Sequence, residues 1–208
     1  VGVFGLGVGD AQRDMYRIGY QPEPSAEVRR EFLLTQATPS SAWLIPRTVF
    51  EAHDLFGNER IQMGEEFGFC MRLIATGVRI RYVDGDVCLV RVHESTGRLS
   101  RSVDPARHLA QAEEINRAAR FIRERIPGHS PDAFKQIARM CWSRGRSCLR
   151  IGCDQAADRY FALAREIDPA VVPLGSGLYR TLTAFTGPRA SEWMLEVSKK
   201  AMARRRTS

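Results

Sequence analysis

Two adjacent glutamates, Glu65 and Glu66, open the stretch GEEFGFCMRLIATG, whose apolar residues recur at helical spacing up to Gly77. Carboxylates at the head of a helix are held ionised by the positive end of the helix dipole, the state a general base requires; the same position also stabilises a helix that does no chemistry. Arg72 lies about two turns beyond Glu65 and so on nearly the same helix face, where it can pair with a carboxylate or hold an anion. Arg91 and His93 alternate onto one side of a strand end. There a guanidinium and an imidazole can meet an anion or a metal, or stand in solvent as loop residues. Asp84-Gly85-Asp86 has the spacing of a paired-carboxylate metal site, but between two strand-like runs it reads as a turn. Glycines 2, 5, 7 and 9 do not make GxGxxG, and a proline-bearing loop follows them where a dinucleotide site needs a helix. The five cysteines are odd in number and contain no CxxC pair, so they read as ordinary thiols.

The elements that must position these residues follow from periodicity and punctuation. Residues 1 to about 9 read as a strand, and the polar segment after it, with Pro22 and Pro24, reads as a loop. SAWLIPR, bounded by Pro39 and Pro46, reads as a short buried strand, and a short helix starts at Thr48 and closes near Gly57. Beyond the Glu65 helix, Val78, Ile80 and Tyr82 alternate with arginines, and DVCLVRV gives a second strand after an Asp84-Gly85 turn. From Asp104 onward strand signals vanish and long amphipathic helical patterns follow one another, separated by Pro127-Gly128, Gly152 and Pro169. These signals place a boundary near residue 103, giving regions 1–103 and 104–208.

With 208 residues, 44% apolar and 26% charged, the chain has the composition of a globular protein. No stretch reaches the roughly 20 apolar residues of a membrane helix, and no secretion signal opens the chain, so a cytoplasmic location is expected. The net charge of +7 favours polyanionic partners. Nucleic acid is not expected among them, because the arginines are scattered and no recognition helix or aromatic platform accompanies them.

Between Pro39 and Ser100 the order PSSAWLIPR, HDLFGNER, GEEFGFCMRLIATG, RIRYV and LVRVHESTGRLS resembles the C-terminal portion of family-two inverting GT-A glycosyltransferases. The resemblance covers about sixty residues, through motifs each of which is weak alone. It implies an α/β class for residues 1–103, a partial GT-A domain, followed by an all-α region. It places Glu65 and Glu66 on the family's acidic pair, with Glu66 as the base that takes the acceptor hydroxyl's proton. It assigns Trp43, Arg72, Arg91 and His93 to substrate, and gives His93 a further role in holding Mg2+ or Mn2+. The implied activity is transfer of a sugar from a nucleotide-diphosphate donor to a glycan or lipid-linked acceptor in surface-polysaccharide synthesis. The family usually carries Glu-Asp where this chain has Glu-Glu. No Asp-x-Asp precedes the Pro39 strand, and the chain opens on Val1 inside an apolar run, so the nucleotide-binding half is expected to lie upstream and residues 1–208 alone to turn over little or nothing.

In the second region GCDQAADRYFALAREIDP resembles the second helix of a tetratricopeptide repeat, with AFKQIARMCWSRGRSCLRIG as its partner; a plain helical hairpin fits equally. The alternative to an enzyme is accordingly a non-catalytic helical protein-interaction module. The basic end, SKKAMARRRTS, reads either as a solvated tail or as a peripheral contact with an anionic membrane surface.

Overall fold

The computed structural model describes residues 2–9, 29–35, 43–55, 65–91 and 104–207; side chains are described for most of these, but not within 2–9, 82–91 or 199–207, nor at Trp43 and Glu65. In order, β1 (Gly2–Gly9), a 3-10 turn (Arg30–Leu34), β2 (Trp43–Leu44), α1 (Arg47–Ala52), α2 (Glu65–Ala75) and β3 (Arg81–Arg91) precede four helices. These are α3 (Pro105–Arg125), α4 (Pro131–Arg150), α5 (Asp154–Ile167) and α6 (Gly177–Thr207). The chain divides into two compact units, residues 1–102 with 113–134 and residues 103–112 with 135–208.

The α/β class and partial GT-A domain expected from the sequence are overturned: three quarters of the residues whose side chains are described are helical, and the fold class is helical. An α/β domain is organised by a parallel sheet covered on both faces, whose strands carry the core. Among the residues whose side chains are described, which leave out β1 and nearly all of β3, the buried apolar ones belong to the 3-10 turn, α2, α3, α4, α5 and α6, with Leu55, Ile80 and Cys153 between elements. Among the described residues backbone pairing joins three segments, in the order β2-β1-β3, and β2 is two residues long. Two local expectations change with the class. Leu44 of the supposedly buried SAWLIPR strand is 63% exposed. The Asp84-Gly85 turn is not a turn but part of one continuous strand, β3, which runs parallel to β1 and takes up its extra residues as register shifts opposite Phe4, Gly5 and Leu6.

In the first unit, α2 packs on the 3-10 turn and buries Phe67, Cys70, Leu73 and Ile74, the residues whose spacing marked the helix. It stops at Gly77, whose φ of 74° is the left-handed cap that a side chain resists, with the Gly77 amide donating to the Ile74 carbonyl at 3.1 Å. In the second unit α4 and α5 bury Ile137, Cys141, Trp142 and Cys148 together with Ala156, Ala157, Tyr160, Phe161 and Ala164. The turn after α4 is a Schellman cap. Gly152 has φ 78°, its amide donates to Leu149, and the Cys153 amide reaches back to the Cys148 carbonyl at 2.9 Å. Gln111 Oε1 accepts from Arg144 at 2.7 Å and from the Tyr160 hydroxyl at 2.9 Å, so a buried amide oxygen and a buried phenol satisfy each other. Within α6 the helix breaks at Gly187 (φ 78°) before Pro188, whose ring cannot continue the preceding turn. Among the described residues no helix is long and apolar enough to cross a membrane.

Candidate functional site

A groove of about 1270 Å³ opens in the first unit, walled by the 3-10 turn, the second half of α2, the later turns of α3 and the loop Ile126–Gly128. Each wall brings cations for a local reason. On α3, Arg117 and Arg120 lie three apart, with Phe121 and Glu124 in the next turn, so one helix face carries them together beside Arg125. The buried stripe of the same helix in this unit is Ile115, Ala118, Ala119 and Ile122, which fixes the arginine face outward. The 3-10 turn adds Arg29 and Arg30, and α2 adds Arg72. Against these six guanidiniums the groove has two carboxylates, Glu31 and Glu124.

Several of the cations are held in place. Glu31, nearly fully buried, pairs with Arg29 at 2.6 Å and accepts the Ser130 amide at 3.1 Å, so its charge is compensated where it stands. Arg29 also donates to the Gly128 carbonyl at 3.4 Å, and Arg30 to the Gly77 carbonyl at 3.3 Å, where the left-handed cap leaves an acceptor facing the groove. Arg72 Nε donates to the Leu55 carbonyl at 2.7 Å. Its guanidinium lies back over Gly68, where an added Cβ would stand 3.3 Å from the terminal nitrogen, which is the N-terminal lean expected of a long helical side chain. The result is a basic concavity with guanidinium edges fixed by backbone carbonyls, suited to a phosphate or carboxylate oxygen.

Of the residues singled out from the sequence, Arg72 lines this groove. Glu66 stands on the same helix, half-buried, and is not among the lining residues. It lies one turn before Cys70, whose thiol is pushed far above its usual range, first by burial and then by the Glu66 carboxylate, so Cys70 stays a neutral core residue. Glu65 begins α2, Trp43 lies in β2 and Arg91 ends β3; only their backbone placement is described. His93 lies outside the described residues. The sequence reading missed Arg29, Arg30, Arg117, Arg120 and Arg125, although the i, i+3 placement of Arg117 and Arg120 on a predicted helix was an available signal.

The groove's donor set does not fit Mg2+ or Mn2+. Its two carboxylates stand among six guanidiniums, and Glu31 is already engaged by Arg29 and the Ser130 amide. Among the described residues no three His, Cys, Asp or Glu side chains come together as a metal site. No family model, curated protein or solved structure matches the chain.

Proposed function

We propose that this chain belongs to an inverting, nucleotide-sugar-dependent glycosyltransferase, working at the cytoplasmic side of the cell envelope on a glycan or lipid-linked acceptor. One observation carries the reading: the helix that begins with the acidic pair Glu65-Glu66 also places Arg72 in an arginine-lined groove. Sugar transfer with inversion requires a base for the acceptor hydroxyl and positive charge for the departing diphosphate. Glu66 takes the hydroxyl proton, the oxygen forms its bond to the anomeric carbon, and the bond to the diphosphate breaks on the opposite face. Arg72 and its neighbouring guanidiniums meet the negative charge that leaves. Trp43, Arg91 and His93 belong to the same proposal as substrate contacts. A divalent ion, where the reaction uses one, takes donors outside this groove, His93 among them.

The experiment is nucleotide-sugar turnover by the intact polypeptide, wild type against Glu66→Gln and Arg72→Met. Glu66→Gln is expected to abolish transfer while leaving donor binding nearly unchanged, and Arg72→Met to weaken binding of the donor. Turnover retained in Glu66→Gln removes the base assignment. The non-catalytic reading is favoured by the tight α4–α5 pairing, where Ala156, Ala157, Tyr160, Phe161 and Ala164 are all buried as a helical repeat would have them. Under that reading neither substitution changes any nucleotide-sugar chemistry, because there is none.

A further inference from the structure

The second half of α6 leaves apolar side chains open to solvent. Trp193 is 66% exposed, and Met194 and Val197 are exposed beside it, while Ser191 and Glu192 on the other side of the helix are buried. Residues 193, 194 and 197 fall within one arc at helical spacing. Before the Gly187 break, Leu178 and Phe185, seven residues apart and therefore on one face, are also open to solvent, Phe185 at 86%.

Charge distinguishes this stripe from an ordinary protein-contact face. The last turns of α6 carry Lys199, Lys200, Arg204, Arg205 and Arg206 with no acidic residue among them. Upstream, Glu192 is consumed internally by Arg146 and Arg150, at 3.0 and 2.6 Å. Arg189 is consumed by Asp154 and Asp158. Both sets of ion pairs lie upstream of residue 199, and the sequence from 199 to 206 adds five cations and no carboxylate. A helix with one tryptophan-bearing apolar arc, a cationic end and no capacity to span a bilayer is the pattern of a helix lying in the plane of an anionic membrane surface.

We infer that the segment of α6 from Pro188 to Thr207 docks on an anionic lipid bilayer, with Trp193, Met194 and Val197 entering the headgroup boundary and the terminal lysines and arginines pairing with lipid phosphates. This holds whether or not the protein transfers sugar, because no part of it draws on the groove of the first unit.

The test is co-sedimentation of the intact protein with phosphatidylcholine vesicles, with and without phosphatidylglycerol. Binding is expected to the phosphatidylglycerol vesicles, to weaken as salt is raised, and to bring a blue shift in tryptophan emission that Trp193→Ser removes. Replacing Arg204, Arg205 and Arg206 together by glutamine should weaken binding about a hundredfold, near fivefold for each cation lost. Trp193→Ser should weaken it about tenfold. Both changes lie on exposed or terminal positions, and an unchanged circular dichroism spectrum shows the helices intact. Equal binding to both vesicle types, no binding to either, or binding indifferent to both variants overturns the inference. A concentration-dependent dimer that Trp193→Ser dissociates, without vesicle binding, also overturns it and assigns the stripe to a second copy of the chain.

Discussion

Gly145, in the middle of α4, offers a quantitative test of how closely the helices of the second unit pack. A Cβ added there would stand 2.8 Å from Phe161 Cε1 and 2.9 Å from Cζ, well inside the 3.4 Å at which ordinary contact begins. The ring has little room to withdraw, since Phe161 is buried and also meets Trp142 edge-on, with centroids 5.0 Å apart. Overpacking of this kind costs about 1–3 kcal/mol. Alanine in place of glycine within a helix returns about 1 kcal/mol through backbone entropy. The contact wins: Gly145→Ala should destabilise the unit by about 1 kcal/mol, read as a lower urea midpoint with unchanged slope. Gly177→Ala is the control, because it is also helical but has open space at its Cβ, and it should leave the midpoint unchanged or raise it slightly. In a Phe161→Leu background the penalty of Gly145→Ala should shrink. A raised midpoint for Gly145→Ala, or a penalty indifferent to the residue at 161, refutes the close packing of α4 on α5.

Two further outcomes follow from buried charge and buried thiols. Glu192→Ala leaves Arg146, whose side chain is 16% exposed, without its carboxylate, and should cost about 3 kcal/mol in urea unfolding. Glu192→Met, which refills the space but also removes the charge, should recover only a minor part of that loss, because the guanidinium is stranded either way. Burial pushes the Cys141 thiol up from 9.0 to about 12, partly offset by Arg144 and Arg159. Below pH 9 both the folded and unfolded chains keep that proton. Between 9 and 12 only the unfolded chain releases it, so stability falls as pH rises, by about 1.4 kcal/mol per pH unit for this thiol. Cys141→Ala should flatten the decline of the urea midpoint between pH 8 and 10, and an unaltered decline would assign it to other groups.

The helices were legible in the sequence because punctuation and periodicity agree there. Phe67, Cys70, Leu73 and Ile74 mark α2 by spacing, and Gly77 ends it with a backbone angle few other residues accept. Gly152 does the same for α4, and Pro105 and Pro131 each open a helix at the position where a missing amide costs nothing. The class was misjudged because it was carried by the order of motifs over some sixty residues and not by the balance of elements. Alternating runs such as Val78-Ile80-Tyr82 show that a segment can pair as a strand. They do not show whether enough strands assemble to organise a core. Ile80 is indeed buried, but it precedes β3 and does not belong to it. At the candidate site the sequence indicated Arg72 through its place on the helix. The groove itself was invisible, because Arg29 and Arg30 join Arg117, Arg120 and Arg125 only through folding that spans nearly a hundred residues, a separation no local pattern encodes.

That separation also bears on how the chain is made. The Glu31 carboxylate is satisfied by the Ser130 amide, and the first compact unit is completed by residues 113–134. During synthesis the early segment must therefore wait for α3 and the loop after it to leave the ribosome before its buried acid finds that amide, and until then Phe32, Leu33 and Leu34 have only a partial shelter. A nascent chain halted before residue 113 should be open to protease at the 3-10 turn, and one halted well beyond residue 134 should be resistant there.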